Sequence, residues 1–173
     1  AKALAMPAFS RRRLLAALTL GAAGGLAAFQ QPLKTPKPGD TVVINGKTVH
    51  LATGDPGWRL LNTAKVTTDR KRGVMLAAFP PPLAARNGQP LTIRGFIVPL
   101  VATPKSDRFL LTKTNYACGF CPPPAPTEAI EVRLRRGAIK AHLDEIQVKG
   151  RLELVGSSDE GVFYRLNEAA VIS

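Results

Sequence analysis

Apolar and polar positions alternate most regularly over residues 146–154. Ile146, Val148, Gly150, Leu152 and Leu154 fall on one side of an extended chain, and Gln147, Lys149, Arg151 and Glu153 on the other. A period of two predicts a half-buried β-strand. Residues 162–166 repeat the pattern at shorter length, with Val162, Tyr164 and Leu166 on one face, and residues 129–134 alternate in the same way. Residues 91–100 and 108–112 are two further strands, and Gly95 inside the first marks a bulge or a tight barrel bend. Asn45-Gly46 between residues 41–44 and 47–51 predicts a hairpin. Residues 56–61 read as a short helical turn with Trp58 and Leu61 facing inward, residues 67–73 as a basic loop, and Asn87-Gly88 as a turn. Phe79-Pro80-Pro81-Pro82-Leu83 is read as neither regular helix nor central strand. Five or six strands with uneven connections predict a mainly β domain, a small OB-like antiparallel barrel in preference to an Ig-like sandwich.

The first thirty residues follow another pattern. Ser10-Arg11-Arg12-Arg13-Leu14-Leu15 runs into an apolar stretch, residues 14–29, that includes Leu14, Leu15, Leu18, Leu20, Leu26 and Phe29. A basic cluster before a short apolar segment is an export or insertion signal. Its Ser-Arg-Arg-x-Leu-Leu order resembles the twin-arginine type, which exports folded proteins, with Arg11 and Arg12 as the pair. The stretch is shorter than the ~20 residues of a bilayer span. Phe9 and Gln30-Gln31 can lengthen it, and Gly21, Gly24, Gly25 and the neighbouring alanines suit packing against another helix. The start at Ala1 suits a retained signal, so the expectation is one N-terminal transmembrane helix over residues 1–30; a cleaved signal is the other reading. A Pro-rich linker, residues 31–40, and a periplasmic β-barrel domain, residues 41–173, follow. The expected location is the bacterial inner membrane, single-pass, with the C-terminal domain in the periplasm.

Charge narrows the choice of partner. The chain of 173 residues carries a net +12. Residues 41–173 hold 18 Lys or Arg and 11 Asp or Glu, a net +7 spread along the chain. Local runs at Arg70-Lys71-Arg72 and at Arg133, Arg135 and Arg136 are solvated faces, or surfaces for anionic headgroups or an acidic partner. Binding of single-stranded nucleic acid needs exposed aromatics. Phe96, Phe109 and Tyr164 instead fall on core faces, and export argues against it too.

Cys118-Gly119-Phe120-Cys121 is the motif with chemical content. A c-type haem is excluded because Pro122, not His, follows the second Cys. A thioredoxin-like site needs a helix after the pair, which Pro122-Pro123-Pro124 opposes. A zinc or copper site would draw two thiolates from Cys118 and Cys121, and further ligands from His50, His142, Asp144 or Glu145. A local Cys118–Cys121 disulfide, shaping the Pro-rich loop, is what an oxidising compartment favours. No nucleophile elbow, phosphate loop or paired-carboxylate spacing is present, so no catalytic residue and no cofactor is expected.

An ordered series of motifs adds to this reading. Trp58-x-x-Leu61, Phe79-Pro80, Gly88-x-x-Leu91-x-Ile93-x-Gly95-Phe96-Ile97-Val98-Pro99-Leu100, Phe109-Leu110-Leu111 and Cys118-x-x-Cys121-Pro run in this order. Ile130-x-Val132, Val148-x-Gly150-x-Leu152 and Tyr164-x-Leu166 follow. The series resembles an exported bacterial family of unknown function, the domain numbered thirty-two ninety-nine, over residues 58–173. The resemblance implies an envelope location and a link to metal handling or transport complexes, with no established activity. The chain departs from the lipoprotein members in having no lipobox cysteine. The function expected is that of a non-catalytic accessory subunit of a membrane complex, respiratory or photosynthetic, in contact with the lipid bilayer and with neighbouring subunits. Residues 67–73 and 117–126 are its candidate contact surfaces. The alternatives are a periplasmic metal-binding protein using Cys118 and Cys121, and a dithiol oxidoreductase.

Overall fold

The computed structural model describes residues 34–115 and 124–172. Its elements, in chain order, begin with β1 (Thr41–Ile44) and β2 (Lys47–His50), α1 (Gly57–Leu61), β3 (Lys65–Asp69) and β4 (Val74–Ala78). Then come α2 (Pro81–Ala84), β5 (Pro90–Pro99), β6 (Arg108–Thr112), a 3-10 turn (Pro126–Glu128) and β7 (Ala129–Leu134). β8 (Ile146–Leu154), β9 (Ser157–Ser158) and β10 (Tyr164–Val171) complete the set. The proposed helix of residues 1–30, with Arg11, Arg12, Leu14, Leu15, Leu18, Leu20, Leu26 and Phe29, lies outside the described residues. None of the described helices is long and apolar enough to cross a membrane. Of the linker, residues 34–40 are described: Pro36 is buried and residues 37–40 form a turn closed by the Asp40 carboxylate on the Lys37 amide.

Five strands close into a barrel in the order β5–β6–β7–β10–β8 and back to β5. Four pairings are antiparallel and one, β7 with β10, is parallel. The expectation of a wholly antiparallel barrel is corrected here, for a geometric reason. Strand direction cannot alternate all the way round a closed ring with an odd number of members. Ile93, Leu111, Ile130, Val132, Val148, Leu152 and Leu166 fill the interior, each at most 1% exposed. α1 adds Trp58 and Leu61 to the same core, as its sequence predicted. The Trp58 indole donates to the Arg94 carbonyl at 2.8 Å, and the Tyr164 hydroxyl to the Leu61 carbonyl at 2.6 Å, so both polar tips are satisfied inside. Burial pushes the Tyr164 phenol up to about 12. The Asp55 carboxylate accepts from the Gly57 and Arg94 amides and ties the start of α1 to β5.

Several local readings hold and several do not. Asn45 and Gly46 both take positive φ, 49° and 77°, the geometry of a two-residue hairpin turn between β1 and β2. β8 buries Ile146, Val148 and Leu152 as its alternation required. Residues 67–73, expected as a loop, instead supply the end of β3 and the turn into β4; β3, β4 and β9 form a small second sheet. The Asp69 carboxylate takes the Lys71 and Arg72 amides and closes that turn. The Pro-rich segment does hold one helical turn, because Pro81 and Pro82 occupy the first turn, where no amide is needed, and Leu83 is buried. β7 does not alternate, since residues 129–132 are all buried. β10 runs past Leu166 to Val171, through a bulge where Glu168 has φ 50°.

Gly95 sits where β5 passes from pairing with β8 to pairing with β6. A Cβ there would stand 2.6 Å from the Thr112 carbonyl oxygen and 2.9 Å from Leu111 Cγ. Gly95→Ala is therefore expected to lower the unfolding free energy by about 1–3 kcal/mol, the usual cost of overpacking. Urea denaturation of the variant checks this, and unchanged stability would mean that the two strands can separate freely at this point.

Candidate functional site

Cys118 and Cys121 lie in the segment 116–123, outside the described residues. The two ends of that segment are described, and both are held. On the upstream side the Asn115 amide donates to the Leu51 carbonyl at 2.8 Å. The Asn115 side-chain nitrogen donates to the carbonyls of His50 at 3.0 Å and Leu143 at 2.7 Å. Asn115 is 3% exposed and stitches three separate stretches of chain together. Thr112 Oγ donates to the Thr114 carbonyl at 2.8 Å. On the downstream side Lys113 and Glu128 pair through their side chains at 2.6 Å, and the Lys113 amide donates to the Glu128 carbonyl.

The other residues expected around a metal are distributed unevenly. His50 is exposed on β2, and its carbonyl is the group that meets Asn115. His142 is partly exposed, with Nδ1 3.9 Å from the Asp144 carboxylate. Asp144 is already engaged by Lys47 at 2.7 Å. The hydrogen bond from Lys47 outweighs the slight burial and, with the Lys47 and His142 charges, holds the Asp144 carboxyl below its ordinary value. Glu145 faces a different groove, beside Arg94 and Gln147. Among the described residues no three His, Cys, Asp or Glu side chains are grouped to hold a metal ion. Asn115, the residue that brings His50 and Leu143 to the root of the Cys segment, was missed from the sequence. Nothing local distinguishes it from a loop asparagine.

A groove of about 320 Å³ opens beside this root, lined by Ile97, Val98, Pro99, Asn115, His142 and Leu143. Leu143 is 39% exposed, and the loop that follows Pro99 exposes Leu100 and Val101 as well. Leu100, Val101 and Leu143 are thus three of the exposed large apolar side chains among the described residues. Of the two expected contact surfaces, residues 117–126 lie for the most part outside the described residues, and the turn after β3 presents Arg70, Lys71 and Arg72 to solvent.

The outer face of the barrel carries a charge network that alternation alone had assigned to solvent. Glu131 points outward from β7 yet is 3% exposed, because arginines from three strands cover it. Arg108 of β6 bonds its Oε1, Arg133 of β7 bonds the same oxygen at 2.8 Å, and Arg165 of β10 bonds Oε2 at 3.1 Å. Arg165 and Asn167 then reach Glu153 of β8. Burial alone would raise the Glu131 carboxyl, but the hydrogen bonds and charges of Arg133 and Arg108 bring it below its ordinary value. A depressed carboxylate stabilises the fold above its unfolded-state value, and that contribution disappears as pH falls through the folded-state value. Glu131→Gln should thus cost about 1–3 kcal/mol at neutral pH. It should also flatten the loss of stability below about pH 4.3. Denaturation curves of both proteins across this range test the assignment, and parallel pH profiles would refute it.

The family described as protein of unknown function (DUF3299) matches residues 62–172 of the chain. No curated protein matches it. The chain is similar to a solved structure of a DUF3299 family protein from Pseudomonas aeruginosa. The two are 24% identical, with 56% of this chain and 68% of that one covered, at a TM-score of 0.44. On the match over most of its barrel domain, the chain belongs to the DUF3299 family.

Proposed function

We propose that the protein is a non-catalytic accessory subunit of a bacterial inner-membrane complex. Residues 1–30 export and anchor it, and its barrel stands in the periplasm. The barrel is of the OB type. Its strands run 1-2-3-5-4 around the ring, with the third and fifth parallel, and this order supports the reading. The barrel docks on a neighbouring subunit through the face around Asn115. The observation that carries this is the apolar groove of Ile97, Pro99 and Leu143, continued by exposed Leu100 and Val101 and rooted on a buried asparagine that keeps it in shape. Apolar side chains at a rigid surface suit a partner interface.

A second reading keeps the same face and makes it a metal site. Asn115 holds the backbone of His50 and of Leu143, next to His142, at the point where the chain enters the Cys118/Cys121 segment. Two thiolates and one or two imidazoles are the donor set of a zinc or copper site.

Extraction of native membranes in mild detergent, followed by size separation and mass spectrometry, tests the first reading. The chain is expected in a large assembly with its apolar N-terminal segment intact. Leu143→Asp with Val101→Asp should release it from that assembly while its thermal unfolding stays within a few degrees of wild type. A small soluble species beginning near Gln30 would refute the subunit reading. Stoichiometric zinc or copper on the reduced full chain, lost in Cys118→Ser, would establish the second.

A further inference from the structure

A second groove lies elsewhere on the barrel, beside the bulge of β10, and its chemistry is different. It encloses about 410 Å³ and is lined by Arg135, Lys149, Arg151, Glu168, Ile172 and Pro90, among others. Cross-strand register explains why three cations meet there. Lys149 and Arg151 are two residues apart on β8 and so share its outer face. They stand opposite Ala170 and Asn167, the residues that flank the bulge. The Arg135 amide donates to the Ala169 carbonyl at 2.9 Å, which brings the end of β7 to the same bulge from the other side. Gly150 lets the strands approach here, for its Cβ would stand 2.7 Å from Leu166 Cγ.

The balance of charge changes along this outer face. Around Glu131 and Glu153 every arginine named above has a carboxylate partner. At the bulge, among the described residues, Arg135 and Lys149 make no ion pair, and Arg151 is bonded only to the Gly88 carbonyl, at 3.0 Å. Glu168 is the one acid in the lining, held at φ 50° by the bulge and also without an ion pair among the described residues. Three cations and one carboxylate leave the groove two positive charges in excess. Bulges re-aim side chains and recur beside binding sites. Arginine forks match the oxygens of a phosphate group, and a lysine adds a point charge.

We propose that this groove binds a phosphate dianion, either free or as the monoester end of a larger molecule. Two excess positive charges match a dianion, and the volume is that of a small-ligand cleft. This inference is independent of the docking face and of the cysteine pair.

The test is calorimetric titration of the detergent-solubilised full chain with inorganic phosphate, and separately with glycerol 3-phosphate, a phosphate monoester with the headgroup chemistry of phosphatidic acid. Saturable 1:1 binding of phosphate is expected. It should weaken about tenfold in Lys149→Ala and in Arg135→Ala. It should tighten in Glu168→Gln, which removes the opposing charge, and stay unchanged in Lys71→Ala, a cation at the distant turn. All four side chains are exposed, so the fold should survive each change. Binding of glycerol 3-phosphate that depends on Lys149, without binding of inorganic phosphate, would identify the monoester end of a larger molecule as the source of the same chemistry. Equal weakening by Lys71→Ala and Lys149→Ala would overturn the proposal in favour of diffuse charge. So would the absence of both kinds of binding.

Discussion

Closing a ring of five strands imposes a parallel pair somewhere, and most of this architecture follows from where that pair falls. Because β7 and β10 run side by side in the same direction, they cannot be joined by a hairpin. The chain leaves β7, forms β8 on the far side of the gap, and returns to insert β10 between them. β10 therefore pairs along both edges. Its two neighbours determine its path, including the bulge at Glu168, more than its own residues do. The close passages at Gly95, where β5 changes partner, and at Gly150, opposite the bulge of β10, belong to the same narrow ring, which brings side chains and backbone together at both points.

That dependence explains which parts of the fold were legible beforehand. The turn at Asn45-Gly46 was readable because two residues alone can adopt its left-handed geometry. β8 was readable because one of its faces is in the core and the other in water. Trp58 and Leu61 were readable as the apolar side of a short turn. The second half of β10, Asn-Glu-Ala-Ala, carries no strand propensity and is extended only because β7 and β8 hold it. α2 was hidden by a rule about proline that applies to helix interiors and not to first turns. β3 was hidden by its polar residues, none of which enters the core.

The candidate surfaces divide along the same line. The cysteine motif, His50 and His142 stand out in the sequence by residue type. The features that organise the described surfaces do not. Asn115 matters because of what it joins across long separations in the chain. Glu131 is enclosed because register sets Arg165 opposite it, and Arg108 and Arg133 reach over it. Arg135, Lys149 and Arg151 look like scattered surface charge until the bulge gathers them. A basic composition predicts attraction to anions in general. The pairing of strands decides which cations are neutralised within the molecule and which stay available to something else.

The position of β10 also bears on how the protein is made. While the chain is being synthesised, the first four strands of the ring exist before the fifth. In that interval β7 and β8 are open edges, each with a row of unpaired backbone groups. A nascent barrel in this state is a partner for any other extended strand, including its own copies. The last strand to emerge is the one that hides both edges at once. Closure of the ring therefore waits for its last strand, and both edges stay open until that strand is in place.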